Sequence, residues 1–371
     1  MRHMTNIRFA CISLLTLIMA APAANAQDKP QERLRQALTA FLDKQEAAYE
    51  ASGDLRLKRE GKITIEPQDD YYVVTMPHLK LINNDGGRVD FGILSINARP
   101  AKEKRLWNVA VALPTPILFY NSKDLLTARL DIGEQTFSGT WHAGSQSFRD
   151  IQAKYSQLAL KQHQSGITLQ IPELRINQKM QADGKPPELS GETSWIFKDS
   201  AVVTSKGHEL LKLGTAGVDV AMDSYSPKRY QALRKDWTKL GQNAKNSTLD
   251  KNIALQFYDL FTKQLLQIQN GMDVTTYAED VRITPPKAIR QKSDEIDTET
   301  ISFDRLAYSF GFSDIRRDKS GLNAGFEMKG FEAEPKPDIA EGLTPKEIRL
   351  HYSLNNLPYN KLVAFGRKQL G

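Results

Sequence analysis

Cysteine is all but missing from this chain: its one copy, Cys11, lies in an apolar run near the N-terminus. The body of the protein is therefore expected to hold no disulfide and no thiolate metal site. Long apolar runs are missing too, because no segment after residue 26 approaches the ~20 residues that a membrane-spanning helix needs. A dense basic stripe is a third absence. Fifty Lys and Arg against 44 Asp and Glu give a formal charge of +6, and this excess is spread along the chain rather than clustered as in a nucleic-acid binder. The sequence also lacks G-x-S-x-G, S-x-x-K, a P-loop and G-x-G-x-x-G, and His208-Glu209 lacks the second histidine of a zincin helix. Triads assembled in space escape such a search, but no signature points to catalysis, and the expectation is a non-enzymatic protein without a cofactor.

What the N-terminus does have is order. Arg2 and Arg8 precede an apolar run from Phe9 to Ala21, and Ala24-Asn25-Ala26 follows. This is the layout of a secretory signal cleaved after Ala26. Cys11 sits at the front of the run instead of at the cleavage point, which argues against lipidation. Removing residues 1–26 takes away two arginines and no acids, so the charge becomes 6 − 2 = +4. A mild positive charge favours anionic surfaces such as phospholipid or lipopolysaccharide.

Residues 27–54 read as one amphipathic helix, with Leu34, Leu38, Phe41, Leu42 and Tyr49 at helical spacing and Pro30 suited to the first turn. From about Leu55 the period becomes two. Trp107, Val109, Val111 and Leu113 alternate with Asn108, Ala110 and Ala112, a strand with one bulky and one thin face.

Two stretches share a spacing 95 residues apart. In Gly61–Ile82 apolar residues fall at Ile63, Ile65, Tyr72, Val74 and Met76; in Ser156–Asn177 they fall at Leu158, Leu160, Ile167, Leu169 and Ile171. Each has a polar turn inside it, a proline after it (Pro77, Pro172), and then a change of phase to Leu79 and Leu81 or to Leu174 and Ile176. Asp85-Gly86 and Asp183-Gly184 follow. The spacing fits a duplicated β-hairpin unit, or two unrelated hairpins that match by chance, with a bulge or bend expected at a sheet edge because proline cannot donate to the ladder.

Residues 55–225 are thus read as a duplicated antiparallel β region, 226–271 as a helical hairpin and 272–371 as β-rich. In the hairpin, Ser226-Pro227 caps a helix with the stripe Tyr230, Leu233, Trp237 and Leu240, and a second helix from about Leu249 to Asn270 stops at Gly271. The stretch from Thr284 to Thr300 reads as a polar linker, and "NKLVAFGRKQLG" as a short amphipathic start. The fold class is α+β, mostly antiparallel β: a long bent sheet or sheets, an N-terminal helix, and a helical hairpin packed on the sheet.

Chemistry-bearing side chains are sparse. His78, His142, His163, His208 and His351 never fall three or four residues apart, so one helical turn places no metal pair. Asp69-Asp70 sit in a turn, and "DEIDTE" lacks the glycine of a calcium loop. The first hairpin helix is the most suggestive element: Lys228, Arg229, Arg234, Lys235 and Lys239 flank Tyr230 and Trp237, a composition suited to an anionic membrane face or to a helix that simply covers the sheet.

The leader, "SGTW" before "AKYSQLAL", and the late "LHYSLNNLPYNKL" resemble the poorly characterised periplasmic β-rich domain-of-unknown-function families of Gram-negative bacteria. That resemblance implies a periplasmic location in the cell envelope and transfers no site residue. The expected role is to bind a lipid or other apolar envelope component in a β-sheet groove. The alternatives are an assembly module that contacts envelope proteins and, after it, a hydrolase on envelope substrates.

Overall fold

A computed structural model describes residues 29–52, 55–103, 105–144, 147–183, 188–245, 251–285, 300–317, 319–334 and 345–370. The segment expected to be a secretory signal and nearly all of the expected polar linker lie outside the described residues. The first helix, α1 (Pro30–Ser52), is followed by β1 (Leu55–Glu60), β2 (Thr64–Pro67), β3 (Tyr72–Asn83), β4 (Arg88–Pro100), β5 (Leu106–Ala112), β6 (Ile117–Tyr120), β7 (Leu126–Asp131) and β8 (Glu134–His142). Four long strands come next: β9 (Ser147–Gln162), β10 (Ile167–Asp183), β11 (Glu188–Val203) and β12 (Glu209–Tyr225). The hairpin α2 (Pro227–Lys245) and α3 (Lys251–Ile268) interrupts the strands. The chain then continues through β13 (Gly271–Ile283), β14 (Thr300–Ser313), β15 (Ser320–Lys329), β16 (Glu332–Glu334) and β17 (Glu347–Leu357) to α4 (Tyr359–Leu370). The fold is α+β and mostly antiparallel β, and all of these strands belong to one sheet. The first helix of the hairpin, α2, runs on past Leu240 to Lys245.

The sheet is a succession of rows. β1 and β2 both pair with β3, which pairs with β4. Then β5 and β6 share the next edge, β8 and β7 the one after, and β9 to β14 follow singly. β15 and β16 flank β14, and β17 closes the series.

Four of the rows are split in two for one reason: a crease crosses the sheet from the β1–β2 row to the β15–β16 row. Gly92, Gln157, Asp199, Asp280 and Gly330 lie on it with φ of 70°, 55°, 51°, 51° and 60°. A positive φ cannot continue the pleat of an L-residue strand, so the chain turns there. The register places these residues in line. Pro172 stands between Gln157 on one side and Asp199 on the other, Gly214 faces Asp199, Asp280 faces Gly214, and Asp304 faces Asp280. Left-handed residues thus alternate across the rows with Pro172, Gly214 and Asp304. The first proline meets the same line, in the bulge between Thr75 and His78. Both prolines were expected at a sheet edge; both lie in its interior. The missing N–H of Pro172 is tolerated there because the left-handed neighbours have already broken the ladder.

The crease has a consequence for every side chain. On β10 the inward residues before it are Leu169 and Ile171 and after it Leu174 and Ile176; on β12 they are Leu211 and Leu213, then Ala216, Val218 and Val220. Each long strand slips one residue in phase. Without that slip the second arm would turn its apolar set to solvent, since side-chain direction has period two. The two 95-residue-spaced hairpins share this geometry, with Ile65 opposite Val74 and Leu160 opposite Leu169.

The core sits where α1 lies inside the crease. Leu34 (1% exposed) and Leu42 (0%) meet Val74, Leu79, Phe91 and Ile117. A cavity of about 90 Å³ between them has only apolar walls, less than the ~150 Å³ of a cavity that takes up benzene. α1 also closes one sheet edge: Gln31 donates to the Ile65 carbonyl at 2.8 Å and Arg35 to that of Ile63 at 2.7 Å.

The crease makes a testable contrast. A Cβ at Gly214 would stand 2.7 Å from Asp280 Oδ2 and 2.8 Å from its Cβ, so Gly214→Val is expected to destabilise by roughly 1–3 kcal/mol. Asp199→Gly relieves a left-handed residue and is expected to leave the urea midpoint unchanged or higher.

Candidate functional site

The inner face of the sheet is mostly apolar, interrupted by Gln178, Thr193 and Thr276, and its cover does not reach as far as the face itself. Beyond α1 the floor continues through Trp195 and Phe197 on β11, Val218 and Val220 on β12, and Val274 on β13. Leu306, Tyr308 and Phe310 follow on β14, with Phe326 and Met328 on β15 and Ile348, Leu350 and Tyr352 on β17. Cross-strand pairing puts Tyr308 beside Phe326 and Phe326 beside Leu350. Exposure rises as the floor runs outward. Ile176 is 4% exposed, whereas Tyr308 is 52%, Leu350 64% and Tyr352 56%. Contiguous exposed apolar surface of this kind marks a binding site more often than a scattering of single residues does. Seven rows from β10 to β17, about 4.8 Å apart, make a trough of roughly 29 Å. One leaflet of the ~30 Å hydrocarbon core of a bilayer is half that long. Phe261 on α3 and Leu362 and Phe365 on α4 are exposed as well. α4 is held to α3 by Tyr258, whose hydroxyl donates to the Val363 carbonyl at 2.9 Å, and by Arg367 with Asp259 at 3.0 Å.

The outer face is the chemical opposite. Arg305 bridges Glu279 and Glu327, and Glu327 also meets Lys329 at 2.7 Å and Arg349 at 3.1 Å. Near the crease, Glu173 meets Arg175 at 2.8 Å and Lys154 at 3.1 Å. The thin face of β5 lines an outer depression with Asn97, Arg99, Ser138, Thr140 and Gln152, while its bulky face, including Val109, is buried toward α1. One sheet thus separates a charged surface from an apolar one.

His78 and His142 have local partners. His78 Nε2 lies 2.5 Å from Asp90 Oδ1, which also accepts the Gly92 N–H at 3.0 Å, so this pair pins the β3–β4 bulge. Burial, with Arg149 next in effect, pushes the His142 pKa below the ordinary histidine value. Among the described residues no three His, Cys, Asp or Glu side chains gather as a metal site.

The basic aromatic residues of α2 do not form one patch. Tyr230 and Trp237 lie on one side of the helix and Lys228 and Lys239 on the opposite side, as their spacing at 3.6 residues per turn requires. Tyr230 packs against Tyr225 with ring centroids 6.1 Å apart, and Trp237 stands edge-on to Phe257 at 5.7 Å. Both aromatics remain 45% exposed. Arg229 reaches Glu188 at 3.5 Å. The side chains of Arg234 and Lys235 lie outside the described residues. The residues of the trough rim, Tyr308, Phe326, Leu350 and Tyr352, were missed as site candidates. Their alternation was visible in "ISFDRLAYSFGFSDI", "LNAGFEMKGFEAE" and "KEIRLHYSLNNL", and within each stretch it places the apolar residues on one face; nothing in it tells whether that face is covered.

Comparisons with protein-family models, curated proteins and solved structures return no match for this chain.

The outer ladder sets an acid response. Arg175 and then Lys154 hold the Glu173 carboxyl down to about 2, and Lys329, with help from Arg305 and Arg349, does the same for Glu327. A carboxylate depressed in the folded state stabilises it above the unfolded value near 4.5 and loses that contribution as pH falls toward 2. The melting temperature is expected to be flat from pH 7 to 5 and to fall between pH 4.5 and 2. Replacing both glutamates by glutamine is expected to make that fall shallower.

Proposed function

We propose that the protein is exported to the periplasm and holds lipid acyl chains on the uncovered inner face of its sheet, without catalysis. The observation that carries this reading is the mostly apolar floor that runs from α1 to β17, whose outer residues Tyr308, Phe326, Leu350 and Tyr352 are exposed. Its support is chemical. The floor is built largely of aromatic and aliphatic side chains and gives an acyl chain contact along its length. The leader-like N-terminus and the +4 charge after its removal favour an anionic lipid or lipopolysaccharide as the source of the chains. On this reading Lys228 and Lys239, exposed on one side of α2, meet anionic head groups while the chains lie on the sheet.

Phe326→Glu tests the floor, and Tyr308→Glu repeats the test one strand away. Both positions are exposed, so the melting temperature should hold. A carboxylate there denies contact to about two methylenes, each ~0.8 kcal/mol, so affinity for a dansyl-labelled fatty acid should fall about tenfold. Ser309→Glu, on the opposite face, should bind as the natural chain does. Unchanged affinity in both floor variants would refute the reading.

A further inference from the structure

The two edges of the sheet are treated differently. At the β1–β2 edge, α1 lies alongside and Gln31 and Arg35 take the carbonyls of Ile65 and Ile63. At the other edge, among the described residues, no strand pairs with the outer side of β17. α4 begins just past the end of that strand, yet it folds back onto α3 through Tyr258 and Arg367 and not along the edge. β17 runs for 11 residues without proline or glycine, and its one left-handed residue, Asn356, comes at the very end. Its pairing with β15 is regular from Glu347 to Leu354 and bulges only beyond it, before Leu357, and a regular edge of that length without proline is a template for another strand.

We propose that this edge is the seam of a symmetric dimer in which β17 pairs antiparallel with β17 of a second copy, His351 facing His351 across the two-fold axis. The sequence of β17 fits itself in that register. Position i then faces 702 − i, which sets Leu350 against Tyr352 and Ile348 against Leu354 on the inner face, and Arg349 against Ser353 and Glu347 against Asn355 on the outer one. No like charges face each other, and every inner pair is apolar, the arrangement that stabilises neighbouring strands. Arg349 is already neutralised by Glu327 at 3.1 Å and Glu347 at 2.8 Å. A two-fold axis normal to the sheet keeps inner face beside inner face, so the most exposed apolar residues of the trough, Leu350 and Tyr352, are covered by their counterparts and the two floors join. Because α1 closes the other edge, assembly stops at two copies, as a closed two-fold requires. The inference stands apart from the lipid reading, since edge pairing needs no ligand.

The test uses the full chain with Cys11 replaced by serine, so that an introduced thiol is unique. Facing residues of an antiparallel pair have Cα atoms about 4.5–5.5 Å apart, within the span of a disulfide. Mild oxidation of His351→Cys is expected to give a covalent dimer, and the natural chain to scatter light as a dimer at tens of micromolar. Ser353→Cys is expected not to link to itself, because four residues of offset put the two thiols roughly 14 Å apart along the strand. Leu350→Lys, at an exposed position that spares the fold, is expected to weaken the dimer at least tenfold with its far-ultraviolet circular dichroism unchanged. A natural chain that scatters light as a monomer would overturn the proposal, as would cross-linking of Ser353→Cys as readily as His351→Cys. Pairing of β17 with a different protein instead of a second copy would overturn it too.

Discussion

Everything in this molecule depends on a one-residue slip of phase repeated at the same level in strand after strand. A sheet that bends along a line across its strands must keep its apolar side chains on one side of both arms, although each strand alternates strictly with period two. Left-handed residues at Gln157, Asp199 and Asp280, alternating with Pro172, Gly214 and Asp304, supply the slip. Non-glycine residues in that conformation cost of order 1–3 kcal/mol each. Asp and Asn bear it more easily than most, and two of the three left-handed positions are aspartate. The close approach of Asp280 to Gly214 explains why a residue without a side chain stands opposite. The crease is thus a designed line and not a succession of independent defects.

From that geometry follows the difference between the two ends of the sheet. At the N-terminal end α1 fills the inside of the bend, and Leu34, Leu42, Val74 and Leu79 make a tightly packed core. At the C-terminal end the same apolar pattern continues with less and less to cover it. Keeping Tyr308, Phe326, Leu350 and Tyr352 in water forgoes the ~1.5–3 kcal/mol that burying each would return. A stability argument alone does not account for four such residues side by side; the proposed cover by lipid or by a second copy would.

Much of this was legible in the sequence. Period-two alternation placed the strands, and the helical spacing of Leu34, Leu38, Phe41 and Leu42 placed α1, because both signals are local. The phase change after Pro77 and Pro172 announced the bend. The same change at Asp199, Asp280 and Asp304 went unread, since aspartate inside a strand carries no such obvious mark as proline. That the prolines lie inside the sheet was also hidden, because which strands flank β3 and β10 is a property of long-range pairing. The site was the least legible part. The basic aromatic helix drew attention by composition, yet its aromatic and lysine residues point opposite ways. The trough rim looked like ordinary half-buried sheet, as exposure is set by what packs on a strand and not by the strand itself.

Whether the inner face carries lipid decides the matter. Native mass spectrometry of the full chain, expressed in a Gram-negative host and purified without detergent, would answer that most directly. Added masses that match lipids and vanish after organic extraction are expected. A bare protein mass from every preparation would contradict the lipid reading.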